Sequence, residues 1–209
     1  LPRLARVIPW EVEELKMLSE PEHSVLVGSL LGDACLSKNG RRYRVRFDHS
    51  ASATEYALWK YTLLQRICCK PRTVAVFDKR TCKHYYHIRY DTKSLPELEW
   101  YSDTFYPNGW KVVPSSVELL LTELALAVWY MDDGHRRTDC NALRLNTHGF
   151  PRSDVERLAN ALHSRYGVHT KLHQAGKSQW VLYIPSRSAV LFCEIIRAYV
   201  PPCMGYKLL

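Results

Sequence analysis

No apolar run in this 209-residue chain approaches the length needed to cross a bilayer. The longest, around 25–31 and 119–131, are short or broken by charge, so a membrane span is not expected. The first residues, Leu1-Pro-Arg-Leu-Ala-Arg, lack the long apolar core of a secretory signal. Regular cysteine spacing is missing too. Seven cysteines include no CxxC pair, and Cys68 and Cys69 are adjacent, so a disulfide framework is excluded and mostly reduced thiols are expected. The one metal-like cluster, Cys82-x-His84-x-x-His87, has no evident fourth ligand and lies in an alternating, strand-like segment, which argues against zinc. These absences suggest an intracellular protein, of an organelle or of a prokaryotic cytoplasm. Acid is also scarce. Against 29 Lys and Arg stand 21 Asp and Glu, a net charge of +8, which favours a polyanionic partner, nucleic acid before an anionic membrane surface.

What the chain does have is a duplication. Leu26-Val-Gly-Ser-Leu-Leu-Gly-Asp33-Ala and Leu126-Ala-Val-Trp-Tyr-Met-Asp-Asp133-Gly are apolar runs fit for buried helices, and each stops at an aspartate. Apolar packing does not ask for a carboxylate there, still less for two in matching places. Around them the element order repeats. Trp10–Leu18 reads as a short amphipathic helix, and Ser19-Glu-Pro-Glu22 has the capping-box pattern opening a helix to Asp33. A strand over 42–48, a helix over 53–68, strands at 73–77 and 84–90 and a helix over 94–105 follow from hydrophobic period. The second half has a helix from the Thr122 cap to Asp133, strands at 142–147, 169–173 and 180–184, and helices over 153–166 and 188–200. Each half therefore reads α-β-β-α-β-β-α, although the first strand of the second half has little local support. Gly109-Trp-Lys111 and Gly205-Tyr-Lys207 close the two halves alike. The expected division is an N-terminal extension (1–18) and two subdomains (19–113 and 114–209).

A single Asp at a helix end is ordinarily solvated or paired with a lysine. Two in duplicate suggest a site. Gly28 and Gly32 lie four apart on one face of the first helix and admit a close neighbour. If that neighbour is helix 122–133 in parallel, Asp33 and Asp133 emerge side by side. Such carboxylates repel each other unless a cation intervenes, and Mg²⁺, which prefers oxygen ligands, is the natural one. Acids holding Mg²⁺ beside a basic surface suit phosphodiester hydrolysis, with Lys111 and Lys207 placed to stabilise charge at each scissile phosphate. The basic residues are patterned accordingly. Arg44 and Arg46 share one strand face, and Arg144 and Asn146 share the matching one. Lys79, Arg80 and Lys83 crowd the first hairpin turn, while Lys171, His173, Lys177 and Gln179 line the second hairpin. Lys38, Arg41, Arg89, Arg136 and Arg137 complete the candidate DNA-binding set. Period two by itself marks only a solvated face, but a basic β-ribbon also fits the DNA major groove.

With two such motifs, the chain resembles the LAGLIDADG homing endonucleases in their single-chain, two-motif form, from about residue 19 to the C-terminus. The resemblance implies an α+β fold of two pseudo-symmetric αββαββα subdomains. Parallel motif helices would form the interface, and two antiparallel sheets would lie along DNA. It implies a monomer making metal-dependent double-strand breaks in a long DNA target, with Mg²⁺ as cofactor and Mn²⁺ as a substitute. Carried over by motif position, Asp33 and Asp133 hold metal, and Gly32 and Asp132 lend backbone carbonyls. Lys111 and Lys207 line the pocket, and His49 and Thr147 position water. Two departures stand out. Ala34 replaces the usual glycine after the first acid and would cost about 1 kcal/mol if that position needs positive φ. Val128 replaces a small residue, so the second helix should approach through Ala125 or Ala127. The alternative function is an RNA-binding intron maturase on the same fold, reading A-form shape and 2′-hydroxyls.

Overall fold

The structure, a computed structural model, describes residues 18–209. The helix read over 10–18 therefore lies outside the described residues, apart from Leu18. Helix α1 (Glu20–Leu31) opens on the expected box: Ser19 Oγ accepts from Glu22 N, while Glu22 Oε2 accepts from Ser19 N at 2.8 Å. From Glu22 to Leu31 every residue is buried, which a helix tolerates only at the centre of a molecule. Its counterpart α5 (Glu123–Asp133) is capped by Thr122, whose Oγ1 accepts from Ala125 N at 3.1 Å.

The two helices run parallel, and three points along them fix this. Thr122 donates to Ser24 Oγ at 2.8 Å at the N-terminal ends. In the middle Gly28 lies over Ala125 and Val128, and at the C-terminal ends Gly32 meets Asp132. A Cβ on Gly28 would stand 2.4 Å from the Ala125 carbonyl oxygen and 2.8 Å from Val128 Cβ. Val128 is thus accommodated directly against Gly28, with Ala125 beside it, and the helix has not moved onto Ala127. Gly28→Ala should cost about 1–3 kcal/mol, because backbone cannot yield as a side chain does. A lowered urea midpoint with unchanged slope would report it.

Each half builds a four-stranded antiparallel sheet. The first has the order β1 (Cys35–Asn39), β2 (Arg42–Ser50), β4 (Lys83–Asp91), β3 (Arg72–Asp78), and the second β5 (Gly134–Arg136), β6 (Leu143–Asn146), β8 (Trp180–Ile184), β7 (Lys171–Gln174). Val45 and Phe47 on β2, and Leu143 and Leu145 on β6, face a core shared with the central helices. The flanking helices are α2 (Thr54–Leu64), α3 (Leu98–Phe105), α6 (Arg152–Tyr166) and α7 (Ser186–Ile196), with a one-turn α4 (Val117–Leu120) that periodicity did not reveal.

Several ends differ from expectation. Helix α2 stops at Leu64 instead of Cys68, because Ile67 and Cys68 both donate to the Leu64 carbonyl and Cys69 turns to Asp91. Helix α3 starts at Leu98, after Pro96, and not at Ser94. Helix α7 ends at Ile196 and passes into a 3-10 turn at 197–199. Among the described residues the one non-glycine with positive φ is Cys82, at 53°. Ala34 therefore carries no left-handed strain, and the expected cost does not arise.

Candidate active site and nucleic-acid interface

Both motif acids arrive at the C-terminal end of the helix pair. Helix α5 continues through Asp133, whereas α1 stops at Leu31 with Gly32 as its C-cap, so Asp33 sits just beyond. Burial pushes the Asp133 carboxyl up to about 7, reinforced by the negative charges of Asp33 and Asp132 and opposed by Lys111 and Lys207. Asp33, although exposed, is also raised, first by partial loss of solvent and then by Asp132, with Lys60, Lys111 and Lys207 pulling it back. Lys111 and Lys207 are lowered by burial while the same acids resist. Three carboxylates thus lie within electrostatic reach of three ammonium groups.

The lysines are held by backbone. Lys111 Nζ donates to the carbonyls of Gly32 at 2.6 Å and Ala34 at 3.3 Å, and Lys207 Nζ donates to Met131 O at 2.6 Å. Each ammonium keeps at least one further N–H for a ligand. The segment carrying Lys111 is tied across to the second half. Val113 N donates to Asp154 Oδ2 at 2.8 Å, and Arg157 donates to Val113 O at 2.6 Å. Lys111, Asp133 and residues Asn146 to Phe150 line a cleft of about 200 Å³ that reaches Leu31 and Gly32.

Asp132 does more than its expected backbone role would need. Its carboxylate crosses into the first half, where Lys60 Nζ donates to Oδ1 at 2.7 Å and Oδ2 at 2.9 Å, and Tyr56 Oη donates to Oδ1 at 2.7 Å. Both charged side chains are essentially sealed, at 1% and 0% exposure. On α1 the equivalent position is Gly32, and a Cβ there would lie 2.7 Å from Asp132 Cβ. The two motifs are therefore complementary and not identical. Neither Tyr56 nor Lys60 was singled out from sequence as a site residue. The signal was present, since Tyr56, Lys60 and Leu64 recur every four residues along one buried helix face.

His49 is the next-to-last residue of β2, not beyond it as expected, while Thr147 directly follows β6; each continues the core-facing parity of its strand. His49 is buried with its ring edge-on to Tyr56 at 5.3 Å, and its Nε2 is enclosed without a hydrogen-bond partner. Thr147 Oγ1 donates to Trp180 O at 2.7 Å. One ligand atom each from Asp33, His49 and Asp132 lies within 4.8 Å of the others. Carboxylates plus one imidazole form a donor set suited to a divalent cation.

The basic face is defined by register, because antiparallel partners share a face. Arg44, Arg46, Asp48, His87, Arg89, Asp91 and Arg72 lie together on the side of the first sheet away from the core. There Asp91 gathers Arg46 at 2.8 Å, Arg72 at 3.6 Å and Arg44 at 3.9 Å, while Asp48 holds Arg89 and His87. On the second sheet His135, Arg144, Tyr183 and Lys171 align in one row and Asn146 and His173 in the next across Val181. His173 stacks on Tyr183 at 4.7 Å. Lys79, Arg80, Lys177 and Gln179 are exposed at the hairpin ends, with Lys83 beginning β4 and Arg41 in the β1–β2 turn. Arg137 pairs with Asp139 and lies over Tyr183.

Two expected members lie on the opposite face. Lys38 pairs opposite Tyr43, one residue out of step with Arg44. Arg136 pairs opposite Leu143, and its Nη1 donates to Leu208 O at 3.2 Å. In both cases strand parity overrides charge. The same parity separates His84, opposite Phe77, from His87, opposite Val74, and so the Cys82 cluster does not converge. All seven cysteines are unpaired.

The model of the LAGLIDADG DNA endonuclease family matches residues 23–192. The chain is 32% identical over 207 residues to the DNA endonuclease I-ChuI of Chlamydomonas applanata, covering 91% of this chain and 95% of that protein. It is 30% identical over 199 residues to the cytochrome b mRNA maturase bI2 of Debaryomyces hansenii, covering 92% and 75%. Its fold matches the homing endonuclease I-WcaI bound to its DNA recognition sequence with a TM-score of 0.83 at 24% identity, covering 100% of this chain and 95% of that one. Two motif helices meeting in parallel, two antiparallel sheets and a match over most of the length agree: the chain belongs to the LAGLIDADG DNA endonuclease family.

Proposed function

We propose that this chain is a site-specific homing endonuclease that acts as a monomer and makes metal-dependent breaks in both strands of a long DNA duplex. The observation that carries the reading is the convergence of both motif acids with Lys111 and Lys207 on one floor, flanked by two sheets with basic outer faces. The similarity to I-ChuI supports it.

Asp33 and Asp133 would hold the cation, with Gly32 and Asp132 as the neighbouring backbone ligands. When bound, Mg²⁺ supplies polarisation of a phosphate oxygen and neutralisation of charge on the leaving oxygen. The protein does the remainder. Lys111 and Lys207 present fixed positive charge to the phosphates in a partly dry pocket, where it acts more strongly than in water. Thr147, with its hydroxyl proton engaged by Trp180, can offer only an acceptor to water. The Arg44, Arg46 and Arg89 guanidiniums are already aligned by Asp91 and Asp48, so their ordering entropy is spent before DNA arrives.

A cleavage selection over a randomised duplex library tests this directly. The expected result is enrichment of one long site cut on both strands with Mg²⁺ and uncut with chelator. If no duplex is cut, the nuclease reading fails. Affinity for that site should fall steeply with salt, about 10³-fold or more between 50 and 200 mM if six or more phosphates are neutralised. A flat salt dependence would remove the sheets as the docking surface. The similarity to the maturase favours one second reading, intron RNA binding. It would show as retained affinity for folded intron RNA in a chain that leaves every duplex intact.

A further inference from the structure

We infer that His49 is a nitrogen ligand for a divalent cation at the first half-site, so that the two half-sites differ in metal chemistry. This rests on the metal-dependent nuclease reading and deepens it. Ligand atoms of Asp33, His49 and Asp132 lie within 4.8 Å of one another. His49 is only 7% exposed, and its enclosed Nε2 takes no hydrogen bond. An orphaned polar atom of this kind is destabilising unless something fills the role. The ring cannot readily swing elsewhere, because Tyr56 packs edge-on against it at 5.3 Å. Tyr56 also fixes Asp132, through Oδ1 at 2.7 Å, so imidazole and carboxylate are set by one residue. Asp132 Oδ1 takes two donors, Tyr56 and Lys60, whereas Oδ2 takes Lys60 and has a lone pair to spare.

Among the described residues the second half-site has no such set of three. Gly32 stands where Asp132 does in the other motif, and Thr147 stands where His49 does. The imidazole that lines the Asp133 cleft, His148, is exposed and joins no such cluster among the described residues. Imidazole raises the affinity of a site for first-row transition ions relative to Mg²⁺, in the order Mn²⁺ below Co²⁺ below Ni²⁺. The first half-site, with its enclosed imidazole, is the one that takes Mn²⁺ or Co²⁺ preferentially.

The test is pulsed EPR of Mn²⁺ added alone to the full chain without DNA. The expected spectrum shows nitrogen modulation from one directly bound imidazole. That signal should vanish in His49→Gln, with Mn²⁺ binding weakened about tenfold or more. It should vanish also in Asp33→Asn, which leaves His49 in place and so guards against a folding defect in the first variant. Thr147→Ala should keep it, and thermal melting should show all three variants folded. Absence of bound Mn²⁺, absence of nitrogen modulation, or modulation surviving His49→Gln would each overturn the assignment. The outcome is separable from the nuclease reading. Duplex cutting without nitrogen modulation sinks only the His49 ligand, and modulation in a chain that cuts nothing sinks only the nuclease.

Discussion

Asp33→Asn and Asp133→Asn, each alone, should abolish duplex cutting while DNA binding persists. Asp133 is half-buried and Asp33 exposed, yet both feel loss of solvent and neighbouring carboxylates, which raise them above the usual carboxylate range. A site that accepts this strain gains from it only when a cation arrives between the acids. Asparagine keeps the shape and removes the charge that attracts the cation. The rate should fall about a thousandfold or more, equivalent to about 4 kcal/mol of lost transition-state stabilisation. Affinity for the selected duplex should hold or tighten slightly, because one negative charge near the phosphates is gone. Single-turnover cleavage and filter binding on the same duplex separate the two effects. Unchanged cutting in both variants would place the chemistry elsewhere in the molecule.

The second large effect is on stability. Lys60→Met should destabilise the protein by about 3–5 kcal/mol, because it strands the Asp132 carboxylate in a sealed interface. At about 2–4 °C per kcal/mol for a chain of this size, the melting temperature should drop by roughly 6–20 °C. Lys60→Met combined with Asp132→Asn should recover much of that loss, since no buried charge is then left unpaired and Tyr56 can still donate to the amide oxygen. The double-mutant cycle measures the coupling. Additive losses would mean that the Lys60–Asp132 pair, despite its 2.7 Å contact, is not an energetic unit. The pair also ties the halves together, because Lys60 lies on α2 of the first half and Asp132 on the motif helix of the second.

Much of the scaffold was visible in the order of residues. The capping box at Ser19 and Glu22, the Thr122 cap, and the glycines at 28 and 32 are local signals, and local physics placed both motif helices and their close face. Hydrophobic period found most other elements, though ends shifted wherever a carbonyl was claimed from outside the element, as at Leu64. The one-turn α4 carries too few residues for period to act on. Face assignments were legible only where strand parity was known, and Lys38 and Arg136 show how one residue of register sends a basic side chain to the other side of a sheet.

By itself the sequence determined the two capped motif helices and the acid that ends each, because each depends on neighbours within a few residues. Only the tertiary structure decided that the halves are unequal. Gly32 and Asp132 occupy the same motif position, yet one yields space and the other fills it, reaching Lys60 and Tyr56 more than seventy residues away in the chain. Such a contact leaves no trace in local spacing. A buried charge is stable only where its partner waits, and the fold alone brings that partner within 2.7 Å.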